Sequence, residues 1–314
     1  MFPSLMKNNQ QEFLKNKAHS LPETPGIYKM YNQNREIIYI GKAVNLKRRV
    51  TSYFLNLADR EPRKKALVYQ IHNFEIENVD TELDALLLEC QMIHKHRPFY
   101  NVLLNHFEKY CYFTIKERLH LTTDLDQKLL FGPYNRHGLV EKVLNILNNL
   151  YFKDLNSWYY QIRVFNPSNI RIPPSAAQKE LIDFFNGDGE GCLNRMIENR
   201  DYASQHENFE PAQHWQEEIN KLIEFTKINQ RFQSFLQKRL IAVIPLNSKK
   251  DKAYYINQGK LEKTAVILNG QSLDAENFQK LPAKNNFVKR AQLDEIKILE
   301  SYLTTKRIKT ILFN

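Results

Sequence analysis

Two short tyrosine-bearing motifs, an arginine–tyrosine pair and one isolated glutamate define the chemistry this sequence could perform. Gly26-Ile27-Tyr28 is followed by Tyr39-Ile40-Gly41-Lys42, and either tripeptide alone would mean little. On paired strands, side-chain alternation puts Tyr28 and Tyr39 on one face if the register brings them together. Arg49 and Tyr53 are four residues apart, so on a helix they stack along one stripe. That stripe borders Leu46, Val50 and Phe54, which places both residues at the edge of a core. Taken singly, two tyrosines and an arginine are more often the trim of a small sheet. Glu89 shifts the balance. At about 100° per residue, Leu86 and Ile93 flank it on one side and Ala85 and Met92 on the other. A carboxylate there is largely buried, and an unpaired buried charge costs several kcal/mol. It requires a cation: an arginine, a lysine or a metal ion. Glu82 shares the face, but a first-turn position gives it an ordinary role with the helix dipole. No second carboxylate lies at ligand spacing, which favours one metal over a two-metal clamp.

The elements that must position these residues can be read in outline. Residues 1–20 read as a polar helix and 21–25 as a proline-bracketed loop. The apolar runs 26–31 and 36–41, around an Asn-rich connector, read as a β-hairpin. Asn45 is placed to cap a helix carrying Leu46, Val50 and Phe54. A helix over 66–71 and a strand over 74–79 follow. Thr81 and Asp84 have capping-box spacing, opening a helix that runs to about His96 and stops at Arg97-Pro98. Further on, strands are expected at 110–116 and 128–131, a turn at 132–134 and a helix at 140–150. Residues 152–175 read as a linker, and 178–237 as an antiparallel helical pair broken near 207–211. Strands at 240–245, 253–256 and 264–268, a helix at 293–305 and a strand at 309–313 close the chain. The expected class is α+β. It divides into an N-terminal helix (1–20), a small antiparallel sheet flanked by helices (21–105) and a connecting region (106–177). A helical hairpin (178–237) and a small α/β module (238–314) complete it.

Composition narrows the functional classes. Charged residues make up 25% and hydrophobic ones 42% of the 314 residues, which suits a folded globular chain and excludes disorder. The longest apolar runs, near 85–88 and 240–245, are far short of the roughly 20 residues of a membrane span. Residues 7–17 are polar, so no signal peptide is expected, and three cysteines without a CxxC pair point to the cytoplasm. Net charge is +10, which suits a polyanionic partner. Residues 40–65 concentrate it: Lys42, Lys47, Arg48, Arg49, Arg60, Arg63, Lys64 and Lys65 against Asp59 and Glu61. Tyr53 and Phe54 lie within this run, which favours nucleic acid over a membrane surface.

These residues carry a resemblance. Residues 26–28 and 39–50, then Thr81 to Glu89, then His96-Arg97-Pro98-Phe99-Tyr100-Asn101, resemble the GIY-YIG nuclease domain of the UvrC excinuclease family. The likeness covers about 21–115, and Phe131-Gly132-Pro133-Tyr134 resembles a later family segment. The resemblance implies a divalent-metal endonuclease that cuts one DNA strand beside a lesion in nucleotide excision repair, with a UvrB-like damage-recognition helicase as partner. It implies that Tyr28 or Tyr39 helps a general base deprotonate water and that Lys42 positions or activates that water. Arg49 and Tyr53 would hold the scissile phosphate, Glu89 would bind Mg²⁺ or Mn²⁺, and Asn101 would complete the site. Lys47, Arg48, Arg60, Arg63, Lys64 and Lys65 would contact DNA.

The likeness is incomplete downstream. Residues 151–174 contain no cysteine where full-length family members carry an iron–sulfur segment, so no cluster is expected. Cys90, Cys111 and Cys192 read as packing residues. Residues 191–226 resemble the family's partner-binding hairpin, with Gln216-Glu217 where Arg-Asp is usual. The architecture is similar to the short, Cho-type homologues, which make only the 3′ incision. His94-Lys95-His96 reads as a solvated or phosphate-facing stretch, 187–191 as a flexible loop, and Trp158 and Trp215 as packing residues. Acidic residues outside 26–101 are scattered, as at Asp124, Asp126, Asp183, Asp188, Glu217 and Glu218, so one incision is expected. Two other readings remain: a stand-alone nuclease acting on branched DNA, and a non-catalytic nucleic-acid-binding protein.

Overall fold

The computed structural model describes residues 3–55, 61–135, 138–153, 163–268, 271–280 and 287–313, the side chains of 3–9 excepted. Arg60 and Trp158 lie outside the described residues. The chain divides into two compact units, one made of residues 1–107, 239–282 and 294–314, the other of 108–238 and 283–293.

The first unit starts with helix α1 (Pro3–His19), strand β1 (Gly26–Tyr31) and strand β2 (Ile37–Ala43), followed by helices α2 (Leu46–Tyr53) and α3 (Pro62–Gln70), strand β3 (Asn73–Asn78) and helix α4 (Glu82–His96). The strands form an antiparallel sheet in the order β2-β1-β3. The caps are those expected from the sequence. Asn45 accepts the Arg48 amide at 2.9 Å, and Thr81 and Asp84 complete a capping box at α4. Helix α4 ends because Arg97 turns left-handed, at φ 52°, immediately before Pro98. Leu14, Met30, Val50, Leu67 and Phe74 bury their side chains together and seat α1, α2 and α3 on the sheet.

The second unit contains strands β4 (Cys111–Ile115), β5 (Leu119–Thr122) and β6 (Phe131–Tyr134) in the order β5-β4-β6, and helices α5 (Gly138–Tyr151), α6 (Pro174–Phe185), α7 (Glu190–Gln205) and α8 (Phe209–Gln237). Several expectations need correction here. The strand expected at 128–131 lies at Phe131–Tyr134 instead, taking in the expected turn at 132–134, because Cys111 and Phe113 of β4 pair with Tyr134 and Phe131. The helical pair is three helices, since α6 precedes a turn at 186–189, and Glu190 and Gly191 of the expected flexible loop are helical. Finally, the connecting region and the hairpin share one core, in which Phe113, Phe185, Trp215 and Phe225 pack together.

After α8 the chain returns to the first unit. Strands β7 (Arg239–Pro245), β8 (Lys250–Asn257), β9 (Lys260–Leu268) and β10 (Lys309–Phe313) belong to it, with helices α9 (Ala275–Gln279) and α10 (Leu293–Thr305). The four strands are all antiparallel, in the order β10-β7-β8-β9, so the expected α/β module is an antiparallel sheet with a helix returning to its edge strand. Ile241, Ala253, Tyr255 and Phe278 form its core. It fastens onto the start of α4: Lys252 Nζ lies 2.7 Å from Asp80 and 2.9 Å from Asp84, and the Tyr254 hydroxyl pairs with Thr81 Oγ1.

Candidate active site

The site is built on the β1–β2 hairpin. Tyr28 pairs across the strands with Gly41, and Tyr39 with Met30. The two tyrosines are therefore diagonal neighbours on one face, with ring centroids 6.1 Å apart. Gly41 makes this possible, because a Cβ there would collide with the Tyr28 ring. From α2, Tyr53 joins them at 5.7 Å from Tyr28 and 6.2 Å from Tyr39, closing a three-ring cluster. The Tyr28 and Tyr53 hydroxyls are 2.9 Å apart, and Arg49 Nε donates to the Tyr28 hydroxyl at 3.2 Å. Arg49 itself is an exposed residue, further out than the core-edge expectation placed it. Its guanidinium nevertheless turns back over the Tyr53 ring at 5.5 Å.

Burial and charge give each group its proton state. Tyr28 is fully buried, which pushes its hydroxyl well above the usual tyrosine value, with Tyr53 and Tyr39 adding to the shift and Arg49 opposing it. Tyr39 is half-buried and is also raised, first by burial and then by Tyr53. Both hold their protons at neutral pH. The tyrosine oxygens in turn hold the Arg49 guanidinium above its ordinary value, Tyr28 foremost.

Helix α4 brings Glu89 to the end of this cluster. Its Oε1 accepts the Lys42 backbone amide at 2.9 Å. Burial raises its carboxyl above the usual range, while that amide and the charges of Lys42 and Arg49 pull the other way. Among the described residues no lysine or arginine side chain forms an ion pair with Glu89, although the charges of Lys42 and Arg49 act on it. A lone oxygen ligand beside hydroxyls and amides suits a hard divalent ion, which completes its shell with water and substrate phosphate. The residues present fit such an ion.

Lys42 Nζ does not reach Glu89. It donates to Glu82 at 2.6 Å, and Glu82 also meets Lys306, from the turn after α10, at 3.3 Å. Burial works against ionisation of Glu82, but the two lysines outweigh it and its carboxyl lies below the ordinary range. The helix-dipole role assigned to Glu82 from sequence therefore understates it: this carboxylate holds Lys42. Its seven-residue spacing from Glu89 was a visible signal, two turns along one face, whereas nothing in the sequence pointed to Lys306. Asn101 is buried and clamps the outer edge of β2, accepting the Ile40 amide at 2.9 Å and donating to the Ile40 carbonyl at 2.8 Å. It thus fixes the backbone between Tyr39 and Gly41.

The basic residues are more dispersed. Lys47 pairs with Glu23 at 3.3 Å and Lys64 with Glu61 at 3.2 Å, while Arg48 and Arg63 are exposed and Lys65 is half-buried. His94 departs from its reading as a solvated residue. It is half-buried, and its Nε2 lies 3.0 Å from Asp294. Cys90, Cys111 and Cys192 are all buried.

A tyrosine-lined hairpin followed by a basic helix and a carboxylate-bearing helix defines a protein class, and residues 24–102 match the UvrC-like GIY-YIG domain. Those residues form a UvrC-like GIY-YIG domain. It is similar to UvrABC system protein C of Alkaliphilus oremlandii, 42% identical over 145 residues, which cover 44% of this chain and 23% of that protein. The protein of the same name from Acetivibrio thermocellus is 28% identical over 327 residues, covering 91% of this chain and 52% of its relative. The chain thus spans between about a quarter and about half of the length of these curated relatives. A solved structure, the GIY-YIG N-terminal endonuclease domain of UvrC from Thermotoga maritima bound to magnesium, is 35% identical. It covers 29% of this chain and 98% of that one, with a TM-score of 0.26.

Proposed function

We propose that this chain is a divalent-metal-dependent DNA endonuclease, making a single incision on the 3′ side of a lesion during nucleotide excision repair. The observation that carries the reading is the convergence of Tyr28, Tyr39, Tyr53 and Arg49 on one hairpin face, beside a half-buried carboxylate that forms no ion pair with a side-chain cation among the described residues. Magnesium or manganese would be held by Glu89, whose hard carboxylate oxygen suits either ion. When bound, the cation supplies Lewis-acid stabilisation of charge on the scissile phosphate.

The chain's own groups do the rest. Arg49 presents its guanidinium to the phosphate, and its hydrogen bond to Tyr28 fixes that direction before substrate arrives. Tyr28 is sealed in by Tyr53, so Tyr39, the less buried of the signature pair, is the hydroxyl that meets the attacking water. As a protonated tyrosine it orients the water by hydrogen bonding, rather than standing ready as a phenolate. Lys42, steadied by Glu82, helps to position that water, and Asn101 keeps the strand between Tyr39 and Lys42 in register.

Damaged duplex DNA is the substrate, and a UvrB-like helicase the partner that delivers it. The DNA contacts are Lys47, Arg48, Arg63, Lys64 and Lys65, with Arg60 in the same run. The exposed ion pairs of Lys47 and Lys64 are weak and exchange readily for phosphates. No helix of the described residues is long and apolar enough to cross a membrane.

The test is a duplex with one bulky adduct, both strands end-labelled, incubated with the chain and UvrB. One Mg²⁺-dependent cut on the 3′ side is expected, reduced at least about 100-fold by Lys42→Ala, Arg49→Ala or Glu89→Gln, with DNA binding retained. Cutting of branched DNA without the helicase would favour a stand-alone nuclease. Two cuts surviving Arg49→Ala would reveal a second active site and overturn the single-incision reading.

A further inference from the structure

We propose that Cys90, His94 and Asp294 form a second metal site, for a thiophilic ion of the zinc class, that clips α10 to α4. Cys90 and His94 are one turn apart on α4 and so share a face. Asp294, in the first turn of α10, comes from the far end of the sequence. His94 Nε2 lies 3.0 Å from Asp294 Oδ2 and 3.8 Å from Cys90 Sγ, and all three ligand atoms fall within 4.8 Å of one another. Zinc bonds of about 2.0–2.3 Å at tetrahedral angles need ligand atoms roughly 3.3–3.7 Å apart, so small adjustments bring this set into place.

The geometry is that of convergence and not of relay. In a cysteine–histidine–aspartate relay the thiol and the carboxylate lie at opposite imidazole nitrogens; here the same nitrogen, Nε2, faces both. A carboxylate in the first turn of a helix has an ordinary electrostatic reason to be there, but a buried cysteine and a histidine aimed at it do not. Cys90 and Asp294 are buried and His94 is half-buried, so an ion there would be largely shielded from solvent, and three protein ligands would leave the fourth tetrahedral position to water. Thiolate, imidazole and carboxylate together suit zinc and exclude magnesium, which takes oxygen ligands. Two anionic ligands and a neutral imidazole also balance a divalent charge. The site is separate from the one at Glu89: Glu89 and Cys90 are adjacent in sequence but about 100° apart around α4. Holding α10 against α4, the ion would steady the helix that carries Glu82 and Glu89.

The full chain, stripped with a chelator and reconstituted with cobalt or zinc, tests this. One equivalent of cobalt should bind with an intense thiolate-to-cobalt charge-transfer band, unaffected by excess Mg²⁺. Cys90→Ser should abolish the band, Asp294→Asn should weaken cobalt binding at least tenfold, and Cys111→Ser and Cys192→Ser should leave both unchanged. Zinc should raise the unfolding temperature of the stripped chain by a few degrees, and Cys90→Ser should remove that response. If Cys90→Ser does not fold, His94→Gln read by the same band takes its place. No charge-transfer band in the unsubstituted chain, or a band that survives both Cys90→Ser and His94→Gln, would overturn the proposal and leave a hydrogen-bonded His–Asp pair beside a thiol.

Discussion

Glu89→Gln should stabilise the protein while abolishing its chemistry, and the sign of the stability change is the sharper test. The carboxylate gains one hydrogen bond, from the Lys42 amide at 2.9 Å, and the charges of Lys42 and Arg49 help it. Burial outweighs all three, since the net shift of its carboxyl is upward. The folded state therefore holds the Glu89 proton more tightly than the unfolded chain, in which glutamate titrates near about 4.3. As pH rises above that value the unfolded state ionises first, and stability falls until the folded carboxyl has also ionised. Glutamine keeps an oxygen for the Lys42 amide and removes the buried charge. Relief of this kind at functional sites is commonly worth about 0.5–2 kcal/mol, or roughly 2–4 °C per kcal/mol for a domain of this size. Without divalent ions, the substituted chain should match the original near pH 4 and exceed it at pH 7.5, followed by thermal unfolding. Magnesium at tenfold its dissociation constant should restore about 1.4 kcal/mol to the original chain alone. A substituted chain less stable at pH 7.5 than the original would refute the reasoning, making Glu89 chiefly a structural acceptor for β2.

Other outcomes follow from the same geometry. Gly41→Ala forces a methyl group into the Tyr28 ring; it should cost about 1–3 kcal/mol by denaturant titration and lower cleavage more than it lowers DNA binding. Asn101→Ala strips both partners from the Ile40 backbone, at about 1–3 kcal/mol for each group left unsatisfied, and a loss below 0.5 kcal/mol (about one weak hydrogen bond) would show that water replaces the clamp. Glu82, held below its ordinary range by Lys42 and Lys306, contributes stability that is complete above the unfolded carboxylate value and is lost as pH falls through its lower folded value; Glu82→Gln should flatten the acid limb of the stability curve. Replacing Arg63, Lys64 and Lys65 together by alanine should reduce the salt dependence of DNA binding by up to about 2.7 in log–log slope, at about 0.9 for each phosphate no longer neutralised, whereas an unchanged slope would remove α3 from the interface.

Local signals carried the first hundred residues. Asn45, Thr81 with Asp84, and Arg97-Pro98 mark helix ends through hydrogen bonds and steric limits that act within four residues, so the sequence alone delimits α2 and α4. The paired tripeptides likewise marked a hairpin, and helical spacing put Arg49 beside Tyr53 and Glu89 on an apolar face. Whether Tyr28 and Tyr39 would meet depended on register, and that was decided by cross-strand pairing of Tyr28 with Gly41, where no Cβ blocks the ring. The fate of Lys42 was not legible either. Its ammonium turns to Glu82, a carboxylate that it shares with Lys306, brought over from the far end of the chain. Residues 128–134 show the same limit: β6 forms at Phe131–Tyr134 through its pairing with β4, which no window of a few residues reveals. Caps and periodicities act through neighbouring bonds and are written in order along the chain. Ion pairs, strand partners and the approach of His94 to Asp294 join segments separated by scores of residues, and only the folded packing of those segments determines which of them touch.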